Sequence, residues 1–294
     1  MPAKIIDGKQ LAQEIRGELK QEVAALKKAG VVPGLGVILV GEDPASRSYV
    51  TAKEHACGEI GIFSDDNRLP AQTSQKDLLA LVHRMNEDPR INGILVQLPL
   101  PKHLKEAEVL LAINPDKDVD GFHPINVGRM VVGERAFLPC TPHGVVQMLV
   151  RSGVKIDGAH AVIVGRSNIV GKPLANMLMQ KSAHGNATVT VCHTRTKDIG
   201  YFTRQADIVI AAAGRPNTIT ADMVREGAVV IDVGVNRVED ATKKQGFRLV
   251  GDVDFEAVKE RASMITPVPG GVGPMTITML LFNTVESARR AHGR

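Results

Sequence analysis

Residues 161–172 read AVIVGRSNIVGK, and this stretch decides the fold of the C-terminal half of the chain. The apolar residues predict a buried strand, the glycines at 165 and 171 bound a turn, and a helix is predicted from Lys172. In dinucleotide-binding folds such a turn lets the backbone approach a pyrophosphate, whose charge faces the N terminus of the helix. The match is partial because Ser167 stands at the middle glycine position, so an ordinary tight turn is the alternative interpretation.

Spacing excludes two other loop types. A Walker A phosphate loop has four residues between its glycines and a hydroxyl residue after its lysine, whereas here five intervene and Pro173 follows Lys172. A nucleophile elbow has a glycine two residues after its serine, and this chain has Ile169 there. The dinucleotide turn is therefore the favoured interpretation.

The rest of the chain continues the alternation of strands and helices. Apolar patterning predicts strands at residues 34–40, 94–98, 161–164, 188–192, 208–212 and 229–233, and helices at 9–28, 44–60, 74–87, 172–181 and 275–290. Strands that are apolar on both faces and alternate with helices indicate parallel sheets covered on both sides. Prolines and glycines predict a long irregular junction at residues 114–142.

The predicted fold class is therefore α/β with two α/β domains. Residues 1–140 plus 275–294 form the first, catalytic domain, and residues 141–274 form a Rossmann-like nucleotide-binding domain. We expect the active-site cleft to lie between the two domains.

Composition narrows the class of protein. The 294 residues are 44% hydrophobic and 23% charged, as in ordinary globular proteins, and no apolar run is long enough to span a membrane. Three scattered cysteines and the lack of an apolar leader predict a cytoplasmic protein. A net charge of +4 suits anionic small molecules, whereas the absence of Trp disfavours a nucleic-acid partner. No metal is predicted, because neighbouring Cys192 and His193 point to opposite faces of a strand.

The end of the second strand of the nucleotide-binding domain indicates the cofactor. An NAD site usually has an acidic residue there for the ribose hydroxyls, but this strand continues into His193, Thr194 and Arg195. Arg166 and Arg195 could instead pair with a 2′-phosphate, which predicts NADP. A solvated loop charge is the alternative for Arg195.

Polar residues at the ends of the N-terminal strands form a candidate catalytic set. Tyr49 and Lys53 lie one helical turn apart, Gln97 ends a strand, and Asp118 and Asp120 stand in the junction. Such residues could converge, although a Tyr–Lys pair at this spacing is often a surface pair and acids beside glycine often only form turns. The residue pattern alone does not identify the substrate.

Five motifs together indicate which substrate the chain binds. They are YVTAK (49–53), GILVQLPLP (93–101), KDVDGF (117–122), GRSNIVG (165–171) and PVPGGVGPMT (267–276). Through them the chain resembles, over nearly its whole length, the bifunctional methylenetetrahydrofolate dehydrogenase/cyclohydrolase family, the FolD type. The resemblance implies NADP-dependent oxidation of 5,10-methylenetetrahydrofolate to the 5,10-methenyl cation, then hydrolysis to 10-formyltetrahydrofolate. It also implies a homodimer in cytoplasmic one-carbon metabolism, supplying purine biosynthesis.

The resemblance also assigns residues. Lys53 is implied as the central proton-transfer group, oriented by Gln97 and assisted by Tyr49, while Asp120 binds the pterin. The implied substrate-binding residues are Tyr49, Lys53, Val96, Gln97, Leu98, Asp120, Pro269, Gly270, Gly271, Val272 and Gly273. The implied NADP-binding residues are Thr141, Gly165, Arg166, Ser167, Thr194 and Val235, with Arg195 added from the strand-end argument.

Three other functions stay open at this point. A dehydrogenase-only relative would lack the hydrolytic step, and a non-catalytic nucleotide-binding protein of the same fold would need no set such as Tyr49, Lys53, Gln97 and Asp120. An unrelated NADP reductase would leave the PVPGGVGPMT segment unexplained.

Overall fold

The computed structural model describes residues 2–243 and 246–293, so the outer ends of the predicted domains, at residues 1 and 294, lie outside the described residues. Its strands are β1 (Lys4–Ile5), β2 (Gly34–Val40), β3 (Phe63–Leu69), β4 (Gly93–Val96), β5 (His160–Val164), β6 (Thr188–Cys192), β7 (Ile208–Ala211), β8 (Val229–Asp232), β9 (Asn236–Glu239), β10 (Phe247–Val250) and β11 (Met264–Ile265). Its α-helices are α1 (Gly8–Lys28), α2 (Pro44–Ile60), α3 (Gln75–Glu87), α4 (Glu106–Ala112), α5 (Pro124–Val132), α6 (Cys140–Arg151), α7 (Gly171–Met179), α8 (Ile199–Thr203), α9 (Phe255–Val258) and α10 (Val272–Ala291).

The chain divides into two compact units. One comprises residues 1–12 and 141–276, here called the nucleotide unit, and the other comprises 13–140 and 277–294, here called the lysine unit. The N-terminal residues differ from the expected division, because β1 pairs in parallel with β11 and so extends the sheet of the nucleotide unit.

The lysine unit is built on a three-stranded parallel sheet in the order β3-β2-β4. The central strand β2 is buried at all seven positions, which explains its nearly continuous apolar sequence. Apolar residues of α3 and α4, such as Leu78, Val82 and Val109, pack against residues of β2 and β4 in one core. Burial of these side chains holds the helices on the sheet and leaves the carboxyl ends of its strands to form a site.

Two polar residues of α10 form hydrogen bonds with backbone carbonyls of the predicted junction. The Asn283 amide donates to the carbonyls of Val119 at 2.8 Å and Leu138 at 2.9 Å. Ser287 Oγ donates to Asn92 O at 2.7 Å and lies 2.9 Å from Asp116 O. Because both side chains are buried, these bonds pair polar groups of α10 that water does not reach with backbone carbonyls.

The nucleotide unit contains a six-stranded parallel sheet in the order β1-β11-β8-β7-β5-β6. Strand β6 pairs with one side of β5 and β7 with the other, so the strand order reverses beside β5. Ligands of open α/β sheets bind at such a point, outside the carboxyl ends of the strands. The antiparallel pair β9–β10 forms a separate two-stranded sheet.

Patterning missed the elements that lack an apolar signature. Strand β3 carries Asp65, Asp66, Asn67 and Arg68, because it lies at an edge of its sheet and is half exposed. The expectation of an irregular segment at 114–142 was wrong in part, since helix α5 lies inside it. Proline at the start of this helix and Gly133 in a left-handed conformation at its end are helix boundary signals.

Candidate active site and nucleotide cleft

Helix α2 presents Tyr49 and Lys53 to the carboxyl end of the sheet in the lysine unit. The helix begins at Pro44, and the carboxylate of Asp43 caps it by accepting from the backbone N–H of Ser46 at 2.8 Å. One helical turn separates the two side chains, so they share a face. Tyr49 is 42% exposed, whereas Lys53 is only 7% exposed. An exposed ring beside a buried amine suits a flat ligand that reaches a reactive group.

Gln97 orients the amine of Lys53. The backbone N–H of Gln97 donates to Ile38 O at 2.8 Å, which continues the pairing of β4 with β2. Its side-chain amide Nε2 donates to Leu98 O at 2.7 Å, and this bond leaves the amide oxygen Oε1 to accept from Lys53 Nζ at 3.1 Å. Of the two neighbouring predicted residues, Val96 is buried and Leu98 is half-buried.

The turn after residue 117 separates the roles of its two acids. The carboxylate of Asp118 accepts from the backbone N–H groups of Phe122 at 3.3 Å and His123 at 2.8 Å, and from Asn126 Nδ2 at 2.9 Å. Gly121 has a φ of 73°, and a Cβ there would lie 2.7 Å from backbone atoms. Asp118 therefore fixes the turn, and Asp120 is the acid that faces Lys53.

The charges of Lys53 and Asp120 are coupled. Burial lowers the pKa of Lys53 below its ordinary value, and the negative charge of Asp120 opposes that shift. Burial raises the pKa of Asp120 to about 6, while the charge of Lys53 opposes the increase and that of Asp118 adds to it. Both groups are thereby brought closer to neutral pH, as proton-transfer groups require.

Cys140 is a further residue at this site. Its thiol lies 3.3 Å from Val119 O and also within hydrogen-bond reach of the Asp120 carboxylate, so its one proton is shared between two acceptors. Burial raises the pKa of this thiol well above its ordinary value, so it is a neutral donor. Cys57 and Cys140 are both buried, and Cys140 also contacts the carboxylate of Asp120.

In the nucleotide unit, the turn between β5 and α7 has the close backbone packing that its glycines predict. Gly165 has a φ of 141°, and a Cβ there would lie 2.1 Å from Ala212 O. A Cβ on Gly171 would lie 2.1 Å from Gly165 O. Ser167 Oγ accepts from the backbone N–H of Val170 at 3.1 Å, so the residue at the middle glycine position supports the start of the helix.

This turn opens onto a cleft of about 450 Å³ in the nucleotide unit. The cleft is lined by Val164, Gly165, Arg166, Ser167, His193, Thr194, Ile199, Ala212, Ala213, Arg215 and Thr218. Two guanidinium groups and no carboxylate are present in this lining, which is drawn from the part of the chain that the structure describes. A basic cleft with close backbone approach suits a phosphorylated nucleotide.

The structure brings together four of the seven predicted cofactor residues: Gly165, Arg166, Ser167 and Thr194 all line the cleft. The other three lie elsewhere in the nucleotide unit. The hydroxyl of Thr141 bonds that of Thr276 at 2.9 Å, Arg195 is exposed beside the cleft residue Thr194, and Val235 is 50% exposed after β8.

The predicted Pro269–Gly273 segment follows β11 and includes the first two residues of α10. In the nucleotide unit the backbone N–H of Lys9 donates to Gly270 O at 3.1 Å, and a Cβ on Gly8 would lie 1.8 Å from Gly271 O. Gly270 has a φ of 107°, a conformation that favours glycine. The consecutive glycines thus have a structural cause in this close approach to the start of α1.

Sequence reasoning missed the loop after β7, which supplies Ala212, Ala213, Arg215 and Thr218 to the cleft. The available signal was a buried strand, 208–211, followed by small residues and Gly214. Because β7 lies next to β5 in the sheet, its carboxyl end meets the glycine turn.

Within residues 2–243 and 246–293, no group of three or more His, Cys, Asp or Glu side chains is placed to hold a metal ion. No helix in the same ranges combines the length and apolar character needed to cross a membrane.

The combination of a glycine turn on a basic cleft with a buried, carboxylate-coupled lysine defines a nucleotide-dependent α/β enzyme. Two family models match the chain: the catalytic domain of tetrahydrofolate dehydrogenase/cyclohydrolase at residues 6–120, and the NAD(P)-binding domain of the same family at 139–292. The chain therefore belongs to the tetrahydrofolate dehydrogenase/cyclohydrolase family.

Individual relatives agree over the full length. The chain is 61% identical over 293 residues to a bifunctional protein FolD from Syntrophus aciditrophicus, covering 100% of both proteins. Its fold matches a FolD crystal structure from Campylobacter jejuni with a TM-score of 0.93 and 51% identity, covering 98% of this chain and 99% of that one. A FolD structure from Trypanosoma brucei, complexed with NADP and an inhibitor, matches with a TM-score of 0.94 and 42% identity, covering 100% of each chain.

These findings confirm the predicted α/β fold class, the family, the enzymatic class with its dehydrogenase and cyclohydrolase activities, and NADP as the cofactor.

Proposed function

We propose that the chain oxidises 5,10-methylenetetrahydrofolate with NADP and hydrolyses the methenyl product to 10-formyltetrahydrofolate, with Lys53 as the proton-transfer group of the second step. The observation that carries this proposal is the buried amine of Lys53, which Gln97 orients at 3.1 Å and which is coupled to Asp120. A lysine with a pKa lowered by burial can exchange protons near neutral pH, whereas an exposed lysine cannot.

The nucleotide unit fits the cofactor. In our proposal Gly165, Arg166, Ser167 and Thr194 hold NADP in the basic cleft, where glycine lets the backbone approach the phosphates. The bound nucleotide supplies the hydride acceptor. The methylene carbon of the folate gives up the hydride, and a lone pair of the adjacent folate nitrogen stabilises the resulting cation, so this step needs little acid or base catalysis.

The hydrolytic step does require proton transfer. The oxygen of a water molecule bonds to the methenyl carbon and releases one proton, which leaves a hydroxyl on that carbon. The bond from the carbon to N5 then breaks, N5 gains a proton, and the hydroxyl gives up its own proton to solvent as the formyl C=O forms. Lys53 in its neutral form accepts the proton from water and, once protonated, returns a proton to the leaving nitrogen. The Gln97 oxygen restrains the amine for both transfers, because its own amide group is fixed to Leu98 O.

The remaining residues of the lysine unit bind the substrate in this proposal. Asp120, with a pKa of about 6, is mostly ionised at neutral pH and accepts hydrogen bonds from the pterin amino and ring N–H groups. Tyr49 packs along the aminobenzoate ring, for which its exposure supplies free surface. Val96 and Leu98 are further proposed folate contacts, and the family resemblance adds Pro269–Gly273 of the nucleotide unit.

Several finer assignments rest on the family resemblance or, for Arg195 and the cytoplasmic location, on the sequence. We assign Thr141, Arg195 and Val235 to NADP binding, and we propose a cytoplasmic homodimer in one-carbon metabolism that supports purine biosynthesis. Sedimentation of the purified chain tests the dimer.

Substitution of Lys53 tests the central assignment. Lys53→Met should lower methenyltetrahydrofolate hydrolysis by about 10² or more, the usual contribution of a positioned acid–base group, and lower hydride transfer far less. Absorbance separates NADPH from the methenyl compound. Lys76→Met, an exposed lysine on α3, is the matched control and should change neither rate.

The outcomes distinguish the alternatives. Unchanged hydrolysis in Lys53→Met would remove Lys53 from the mechanism, and absence of hydrolysis in the unmodified chain would indicate a dehydrogenase-only relative. If neither NADP nor NAD supported oxidation of methylenetetrahydrofolate, the proposed activity would be rejected.

A further inference from the structure

Arg215 lies in the nucleotide cleft although the sequence places it far from the glycine turn. It follows β7 and lines the same cleft as Arg166 of the turn and His193 and Thr194 at the end of β6. The three segments meet because β6 and β7 pair with opposite sides of β5. The cleft therefore has one arginine at the end of β5 and a second at the end of β7.

The backbone of the loop that carries Arg215 is anchored. The buried carboxylate of Asp252 accepts from the backbone N–H groups of Ala213 at 2.6 Å and Gly214 at 2.8 Å. On the other side of Arg215, Thr218 Oγ1 donates to Arg215 O at 2.7 Å. Asp252 is itself held through its backbone N–H, which donates to Asp232 Oδ1 at 2.9 Å. Buried bonds of this kind hold a loop in one conformation.

The guanidinium of Arg215 is not paired with a carboxylate in the part of the chain that the structure describes. Within residues 2–243 and 246–293 it forms no ion pair with a carboxylate, whereas Arg225 of the same unit pairs with Asp207 at 2.5 Å. Arg215 thus lies on an anchored loop, in a cleft without an acid, and the N–H donors of its guanidinium are free. Such an arginine is suited to bind a phosphate group.

The cleft that Arg215 shares with the end of β6 indicates which phosphate it binds. The pyrophosphate of a dinucleotide lies at the N terminus of the helix after the glycine turn, and the adenosine ribose lies toward the end of the second strand of the fold, here β6. The cleft extends from the turn to His193 and Thr194 at that end and across to Arg215. We propose that Arg215 binds the 2′-phosphate of NADP together with Arg166 and thereby determines the preference for NADP over NAD.

This proposal rests on the NADP-dependent activity proposed above, so its test measures binding without turnover. Calorimetric titration with 2′,5′-ADP, which carries the 2′-phosphate, is compared with titration with 5′-AMP, which lacks it. Arg215→Ala should weaken 2′,5′-ADP binding about ten- to a hundredfold, the range of a lost charge-assisted hydrogen bond, and leave 5′-AMP binding unchanged. Arg215→Lys keeps the charge but loses the paired N–H donors of the guanidinium, so its affinity for 2′,5′-ADP should lie between those of the unmodified chain and Arg215→Ala.

Kinetics supply the second readout. In Arg215→Ala the ratio of kcat/KM for NADP to that for NAD should fall by the same factor, while methenyltetrahydrofolate hydrolysis without nucleotide stays unchanged. Arg248→Ala, an exposed arginine of β10 outside the cleft, is the matched control and should keep both binding constants. Arg166→Ala should reproduce the loss.

Two results would overturn the assignment. Equal weakening of 2′,5′-ADP and 5′-AMP would show that Arg215 contacts a part that the two nucleotides share. Unchanged 2′,5′-ADP binding would show that it contacts neither. If the unmodified chain failed to oxidise methylenetetrahydrofolate yet bound 2′,5′-ADP through Arg215, only the proposed activity would fail.

Discussion

The hydrogen bond between Gln97 and Lys53 allows the pKa of the lysine to be moved in either direction. Gln97→Leu removes the oxygen 3.1 Å from the buried ammonium and so destabilises the charged form. A hydrogen bond to a charged group contributes about 1.5–3 kcal/mol, and at about 1.4 kcal/mol per unit its loss should lower the pKa of Lys53 by about one to two units. Gln97→Glu places a carboxylate there and should raise the pKa.

The assay is the pH dependence of methenyltetrahydrofolate hydrolysis, followed by the loss of absorbance of the methenyl compound. The limb of the pH–rate curve that reports deprotonation of Lys53 should move to lower pH in Gln97→Leu and to higher pH in Gln97→Glu. Gln75→Leu is the matched control, because the Gln75 side chain bonds Lys105 N instead and lies outside the site. A limb that stays in place in both variants, or moves in the same direction in both, would refute the assignment of Lys53.

Two other predictions concern stability. Burial raises the pKa of Asp232 from 3.8 to about 6. Between these two pH values the folded chain holds a proton that the unfolded chain has lost. The free energy of unfolding should therefore decrease as the pH rises from 3.8 to about 6. Asp232→Asn should reduce this pH dependence by on the order of 3 kcal/mol, measured by urea unfolding at about pH 4 and about pH 7; an unchanged dependence would assign it to other groups. Gly17 lies inside α1, exposed and with no heavy atom within 4 Å of a Cβ built there, so Gly17→Ala should raise the free energy of unfolding by about 0.5–1 kcal/mol. A lower value would contradict the helix-propensity argument.

Local sequence predicted the elements with strong periodicity. The strand at 34–40 and the helix at 44–60 were predicted with the bounds that the structure has, because burial of every strand position and amphipathic helix packing leave direct sequence signatures. Strand β3 was missed, because a polar edge strand is specified by pairing with β2, and that pairing has no local signature.

The candidate site was predictable as a set of residue types but not as an environment. The motifs named Lys53, Gln97 and Asp120, yet the lowered pKa of the lysine arises from burial and from a carboxylate on a distant turn. The nucleotide cleft shows the same limit. Sequence proximity to a strand end suggested Arg195, whereas the cleft contains Arg215, which only the adjacency of β7 and β5 brings there.

By itself, the sequence determined the α/β class, the glycine turn, the family and the chemical groups available for catalysis, since these depend on periodicity and on motifs within short segments. The tertiary structure alone decided which acid of the Asp118–Asp120 pair supports a turn and which faces Lys53, and which arginines enter the cleft. The physical reason is that desolvation and charge coupling depend on the distances between atoms, and packing sets those distances among residues far apart in the chain.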